Sequence, residues 1–400
     1  MDLKSSLPYW PVDDGLLHSY PPLTIDERCD VLVLGAGITG AILAERFTRE
    51  GLDVVVLDRR DVAHGSTSAS TALLQYEIDT HLCDLIDLVG REHAERAYRL
   101  CLHAIDTIGE LAAGIPGDCG FRRRQSIYVA NNRKQVRQLE REHEARRACN
   151  IEVELVTQPE LGYRFPLQHP AALVSAAGAS CDPYRLAHGL LQLVLRRGGR
   201  VYDRTEATEI LAQDGGILAR TQRGTTVKAR RIVYATGYEA QERLQQRVVT
   251  LKSTYAFASQ PLADLAPWRE DWLLWEVDRP YLYLRATADR RILAGGRDDS
   301  FRSPRLRDGR VERRSEQLLR QVKKILPDLP LEVEFAWAGT FGETEDGLAY
   351  IGASPEQPNA YFALGFGGNG ITFSATAADL LVDQLLGRPN PDAAIFRFDR

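Results

Sequence analysis

The chain has 400 residues, 44% of them hydrophobic and 26% charged, with a net charge of −5. That length excludes one small core and suits two domains or one large interleaved unit of ordinary soluble composition. The acidic balance argues against nucleic acid as a partner: the basic clusters Arg122-Arg123-Arg124 and Arg146-Arg147 are local and lie near acids.

Residues 1–24, rich in proline and aromatics, read as an irregular arm on the surface. The opening MDLKSSLPYWPVDDG has no secretory pattern, and no apolar run approaches the roughly 18 residues of a membrane span. A cytoplasmic protein without a transmembrane segment is the expectation.

Cys29 to Asp58 is the most informative stretch. An apolar β-branched run (Val31–Leu34) turns on Gly35-Ala36-Gly37-Ile38-Thr39-Gly40, passes through a helix to Arg49, and returns as the strand Val54–Leu57, ended by Asp58. Strand, G-x-G-x-x-G, helix, strand and acid in this order form a dinucleotide cradle. Gly35 permits the tight turn, Gly37 lets N–H groups approach a pyrophosphate, and Gly40 allows close helix packing. Asp58 accepts from a ribose hydroxyl in this scheme. Arg59 and Arg60 follow it and leave an NADP-type 2′-phosphate site as an alternative.

The next segment, Arg59 to Asp79, is crowded with small and hydroxyl residues, among them Ser66, Thr67 and Ser68. It reads as a loop entering a helix in close contact with a phosphate or ring. Helical spacing marks residues 84–113, a strand follows at Arg122–Ala130, and Lys134–Cys149 reads as a charged, solvated helix. Ala171–Ser180 is a strand, and Asp182 caps a helix with Pro183 in its first turn. After the strand Arg200–Tyr202, a hairpin runs from Glu206 to Lys228, and RIVYATG (Arg231–Gly237) carries another strand into a small turn. Residues 249–300 are rich in strands, with Tyr281, Tyr283 and Arg285 alternating onto one face. A helix spans 311–326. The strand Tyr361–Leu364 then meets a second glycine turn, Gly365–Gly370, which opens a helix from about Phe373. The six cysteines have no metal-like spacing, no Ser-His-Asp set or HExxH is present, and no metal site is expected.

DVLVLGAGITG with Asp58, GSTSAS, CDPYRL, RIVYATG, YLYLRATADRRILAGG, WAGTFGETEDGLAYIG and GFGGNGITFS occur in one order over residues 28–388. In this the chain resembles the FAD-dependent D-amino-acid oxidase superfamily, which includes glycine oxidase, sarcosine oxidase and γ-glutamylputrescine oxidase. The resemblance implies an α/β (α+β) flavoprotein with a Rossmann-like FAD-binding domain (25–100, 180–245 and 335–388). It also implies an antiparallel-sheet substrate domain (101–179 and 246–334). It implies oxidation of the C–N bond of an amine or N-substituted amino acid by hydride transfer to flavin N5, with hydrolysis of the imine. The electron acceptor is O2 or a quinone-type compound. By the same comparison Gly35, Gly37, Ile38, Thr39, Gly40, Asp58 and Arg59 hold the ADP half of FAD, with Ala235, Thr236 and Gly237 beside them. Ser66, Thr67 and Ser68 approach the pyrophosphate or ring, while Gly368, Asn369, Gly370, Ile371 and Thr372 lie against the pyrimidine end.

The resemblance weakens on the substrate side. Basic residues that hold a substrate carboxylate in better-known members match Phe341, Gly368, Gln75 and Thr372, none of them basic here. A bidentate arginine is the strongest means of holding a carboxylate, so a simple α-amino acid held in the usual way is not expected. Gln75, Tyr281, Tyr283, Arg285 and Phe341 remain as substrate candidates, with Arg285 either an anion partner or an ion pair at a sheet edge. Glu77 and Asp79 either bind a distal ammonium or form a solvated acid pair at a helix start. The cysteine that attaches flavin covalently in sarcosine oxidase falls at Gly339, which implies non-covalent FAD. That enzyme's oxygen-activating lysine falls near Leu293. Oxidation of a hydroxy acid or polyol, and a non-catalytic flavin subunit of a larger complex, stand as alternatives.

Overall fold

A computed structural model describes residues 3–278, 280–300 and 303–400. Two sheets organise them.

The first sheet grows around Glu27–Leu34, which has parallel partners on both sides: Thr226–Tyr234 and Val54–Leu57. Arg200–Tyr202 and Ala360–Leu364 extend it, also in parallel, and Tyr350–Ala353 closes one edge antiparallel. Its central strands carry apolar runs, Val31–Leu34, Val54–Leu57 and Ile232–Tyr234, where both faces are covered. Val31, Val33, Val54 and Val56 meet helix residues such as Ile42, Leu190 and Leu381 on one side. Leu32, Leu34, Val55 and Leu57 meet Ile217, Ala219 and Val249 on the other. The helices Pro183–Arg196, Ile38–Arg49 and Gly370–Leu385 pack across the first face, with Ile38–Arg49 in the middle. The hairpin read near Glu206–Lys228 is a meander of Ala207–Gln213, Gly216–Thr221 and Thr226–Tyr234, and its last strand runs on into the parallel sheet.

The second sheet has ten strands, ordered from Lys4–Ser5 through Val333–Glu343, Thr250–Ser259, Ile292–Asp299, Tyr283–Ala286, Trp272–Glu276 and Arg122–Ala130 to Ala171–Ser180. Leu73–Leu74 and Glu154–Thr157 also join the last of these. It is antiparallel at every junction but one: Trp272–Glu276 runs parallel to Arg122–Ala130. The amphipathic helix Val311–Ile325 seals it with Leu318 and Val322 against Phe257 and Leu284.

Several expectations require correction. The arm is neither irregular nor superficial. It contains the strand Lys4–Ser5 and the helix Tyr9–Asp14, and it buries Leu3, Tyr9, Trp10, Tyr20 and Leu23. The helix Arg133–Ala148 is not solvated all round, since Arg146 and Glu142 are fully buried and paired with each other, with Glu77 against Arg146. The segment 335–388 begins inside a strand of the ten-stranded sheet. The last glycine turn enters its helix at Gly370, three residues earlier than Phe373. Among the described residues no helix is long and apolar enough to cross a membrane.

Candidate active site

A single cavity lies between the sheets and runs from the first glycine turn to the second. At one end is Gly35, at φ +103°, where a Cβ would stand 2.4 Å from the Ala235 carbonyl oxygen. Side chains are thereby excluded where the chain crosses from Glu27–Leu34 into Ile38–Arg49 beside the end of Thr226–Tyr234. Gly40 is tighter still: its Cβ would lie 1.8 Å from the Gly35 oxygen, so the helix seats directly on the turn.

Asp58 accepts from the Ala36 N–H at 2.7 Å and the Arg60 N–H at 2.8 Å, and it lines the cavity. Burial raises its acid to about 6 against the pull of those two donors. Arg59 and Arg60 both pair with Glu239, and Arg59 also faces Glu206 at 3.6 Å. Two arginines tied to carboxylates make a poor 2′-phosphate site, which removes the main feature that favoured NADP.

The GSTSAS segment forms one helical turn, Ser66–Ala69, over the first cradle. Thr67 uses its hydroxyl to accept from the Ile38 N–H at 2.9 Å, capping the helix. Ser66 Oγ, by contrast, is buried without a hydrogen-bond partner and lines the cavity, as does Gln75 Nε2. Ser68 donates to the Gly65 carbonyl and does not line it.

The second glycine turn is held by the alternating residues of 75–79. The Gln75 carbonyl accepts from the Thr372 hydroxyl at 3.0 Å, the Glu77 carbonyl from Asn369, and the Asp79 carboxylate from the Gly368 N–H at 2.9 Å. Asp79 also accepts from the Tyr281 hydroxyl at 3.1 Å. The two glycine turns meet through Thr39 and Ser374, whose hydroxyls are 2.8 Å apart. Glycine hinges from opposite ends of the chain therefore bound one cavity.

Of the residues singled out from sequence, Gly35, Gly37, Ile38, Thr39, Asp58, Arg59, Ser66 and Thr67 line it. Ala235–Gly237, Gly368–Thr372, Gln75, Tyr281, Tyr283 and Phe341 do so as well. Gly40 and Ser68 sit just behind. Arg285 does not belong. Its guanidinium is buried and donates to the carbonyls of Thr71, Cys181 and Ala286, so it is neither an anion partner nor an edge ion pair. Burial lowers it to about 10, against the pull of the nearby Asp182 carboxylate. Glu77 and Asp79 are not a solvated helix start: both line the cavity, and Glu77 is 3% exposed.

Sequence reasoning missed Asp298. A register shift in the pairing with Thr250–Ser259, with Gly296 at φ +139° and Arg297 at φ +61°, turns this strand end. Asp298 lines the cavity with one oxygen lacking a hydrogen-bond partner, and burial raises its acid to about 6. Among the described residues the basic side chains on the cavity wall are Arg59, Arg60 and Arg243. The second glycine turn is instead surrounded by Glu77, Asp79 and Asp298.

The wall fits FAD: a side-chain-free cradle at a helix start, a carboxylate at the end of the second strand, and unpartnered hydroxyl and amide groups between the turns. The family model of FAD-dependent oxidoreductases (DAO) matches residues 30–384. The chain is similar to the Bacillus subtilis (strain 168) protein YhfW, named for a Rieske 2Fe-2S centre, at 27% identity over 97% of this chain and 74% of YhfW. It is similar to γ-glutamylputrescine oxidoreductase of Escherichia coli (strain K12), at 26% identity over 92% of this chain and 85% of that protein. The crystal structure of glycine oxidase from Geobacillus kaustophilus superposes with a TM-score of 0.76 at 21% identity, covering 94% of this chain and 99% of that one. The chain belongs to the DAO family of FAD-dependent oxidoreductases.

Proposed function

We propose that this enzyme oxidises the C–N bond of a cationic amine or N-substituted amino acid, with FAD held non-covalently. The observation that carries the reading is Asp298, which lines the cavity with one oxygen lacking a hydrogen-bond partner. Among the described residues the basic side chains of the wall are Arg59, Arg60 and Arg243, the first two held by Glu239. An ammonium group meets its complement in the Asp298 carboxylate, whereas a substrate carboxylate placed there would meet repulsion. Asp79 is fixed by Tyr281 and the Gly368 N–H, and Asp298 has an oxygen free to accept from a substrate nitrogen. Tyr281, Tyr283, Gln75 and Phe341 shape the pocket.

When bound, FAD supplies the two-electron acceptor for a hydride from the carbon next to nitrogen. The cationic amine first gives an N–H proton to a carboxylate such as Asp298; the neutral amine then loses the hydride to become an iminium ion, and water converts that to the carbonyl compound and the released ammonium. The chain's part is to hold the nitrogen against Asp298 and Asp79 and to exclude bulk water between the sheets.

A phosphorylated polyol as substrate needs a basic cluster, and Arg59 and Arg60 are committed to Glu239 at the far end. Anaerobic bleaching of the flavin band tests the reading across amines, N-methyl amino acids, D-amino acids and hydroxy acids. Bleaching by amines is the expected result, and bleaching by hydroxy acids alone would overturn it. Peroxide yield against dye reduction assigns the acceptor to O2 or to a quinone-type compound. Leu293, buried off the cavity wall, offers no lysine to activate oxygen, which favours the quinone type.

A further inference from the structure

Residues 65–73, of which all but Ser68 line the cavity, make up a long part of its wall. Yet this stretch has little secondary structure of its own: one helical turn at Ser66–Ala69 and the two-residue strand Leu73–Leu74. Ala72 is left-handed at φ +50°, a conformation that costs an alanine energy and needs outside support.

That support comes to three consecutive carbonyls. Ala69 accepts from the Trp337 indole N–H at 2.9 Å, Ser70 from the Trp10 indole N–H at 2.7 Å, and Thr71 from Arg285 Nε at 2.7 Å. The donors are 1%, 5% and 3% exposed, and they come from the helix Tyr9–Asp14 and from two strands of the ten-stranded sheet. Arg285 also bonds the Cys181 carbonyl and lies 5.2 Å from the Trp10 ring centroid. Its charge is thus buried against carbonyl dipoles and an aromatic face, a costly arrangement unless the geometry it imposes is used. Trp10 lies outside the 30–384 span common to the family model.

We propose that Trp10, Trp337 and Arg285 are positioning residues for the cofactor. They clamp the carbonyls of 69–71 and thereby preorganise the wall against which the flavin binds. The N-terminal arm is then part of the cofactor site, a role that Leu3 shares by lining the same cavity.

Trp10→Phe and Trp337→Phe each remove one indole donor and keep a ring. Apoprotein of each is titrated with FAD, and the visible circular dichroism of the bound flavin and the apoprotein melting temperature are recorded. Each variant is expected to bind FAD about fivefold more weakly, the worth of one neutral hydrogen bond, with altered flavin dichroism. Unchanged affinity and dichroism in either folded variant, whatever its melting temperature, would reduce the trio to packing and overturn the proposal. Should both variants fail to fold, hydrogen exchange of the wild-type apoprotein decides: slow exchange across 66–74 before FAD is added supports preorganisation, and exchange as fast as in an open loop refutes it.

Discussion

If Asp58 takes the cofactor's ribose as we propose, it links stability of the first turn to capture of FAD. Its two oxygens already hold the Ala36 and Arg60 N–H groups, and burial lifts its acid to about 6. A ribose hydroxyl donates best to the ionised form. FAD affinity of the apoprotein is therefore expected to weaken as pH falls through about 6. Asp58→Asn should lose about tenfold or more, the scale of a hydrogen bond to a charged group, and should lose the pH dependence with it. Fluorescence titration at several pH values checks both. His188 makes a separate pH prediction. It is 2% exposed, neither ring nitrogen has a hydrogen-bond partner, and burial with His18 and His64 nearby lowers it to about 4. A depressed histidine stabilises the fold above its unfolded pKa of roughly 6.5, and that stability is lost as pH falls towards 4. His188→Phe is expected to recover about 2 kcal/mol at pH 5 relative to pH 7.5, read from denaturant midpoints.

Among the elements, the helix Ile38–Arg49 has the least room at its start. Alanine in place of glycine ordinarily favours a helix by up to about 1 kcal/mol. At Gly40 the sign should invert, because the new Cβ would need the space of the Gly35 oxygen, 1.8 Å away. Gly40→Ala is expected to lose FAD binding together with at least about 3 kcal/mol of stability. Gly162→Ala, in Gln158–Arg164 with nothing within 4 Å of the added methyl, serves as the propensity control and is expected to gain up to about 1 kcal/mol. Melting curves of the two separate steric conflict from propensity. Element boundaries such as Arg122–Ala130, Ala171–Ser180 and Val311–Ile325 were readable because each is a contiguous periodic run between turn signals. Asp298 was not, because a bulge reverses the facing that simple alternation assigns. Alternation failed likewise for Arg285: it follows Tyr281 and Tyr283 in phase, yet its guanidinium ends among three carbonyls instead of at the cavity. Arg146 shows the same limit, since nothing local in a helix as charged as Arg133–Ala148 marks the one arginine that is fully buried.

For the molecule as a whole, the cofactor-facing half was legible and the substrate-facing half much less so. Glycine turns and Asp58 carry their geometry in adjacent residues. The acidic pocket instead gathers Glu77, Asp79 and Asp298 from segments more than two hundred residues apart. Gly339 borders this cavity, at the position that the resemblance matches to the flavin-attaching cysteine of sarcosine oxidase. Acid or heat denaturation is accordingly expected to leave the yellow chromophore in the supernatant, and colour retained by the precipitated protein would contradict it.

The hydroxyl contact between Thr39 and Ser374 also bears on biosynthesis. A nascent chain on the ribosome presents its first glycine turn early, but Ala360–Leu364 and Gly370–Leu385 follow more than three hundred residues later. Until they do, the parallel sheet lacks an inner strand beside Thr226–Tyr234, and the apolar faces around it stay uncovered. The cradle formed by both glycine turns is thus complete only once these late segments have been made, and a chain cut short before them would leave that apolar surface open.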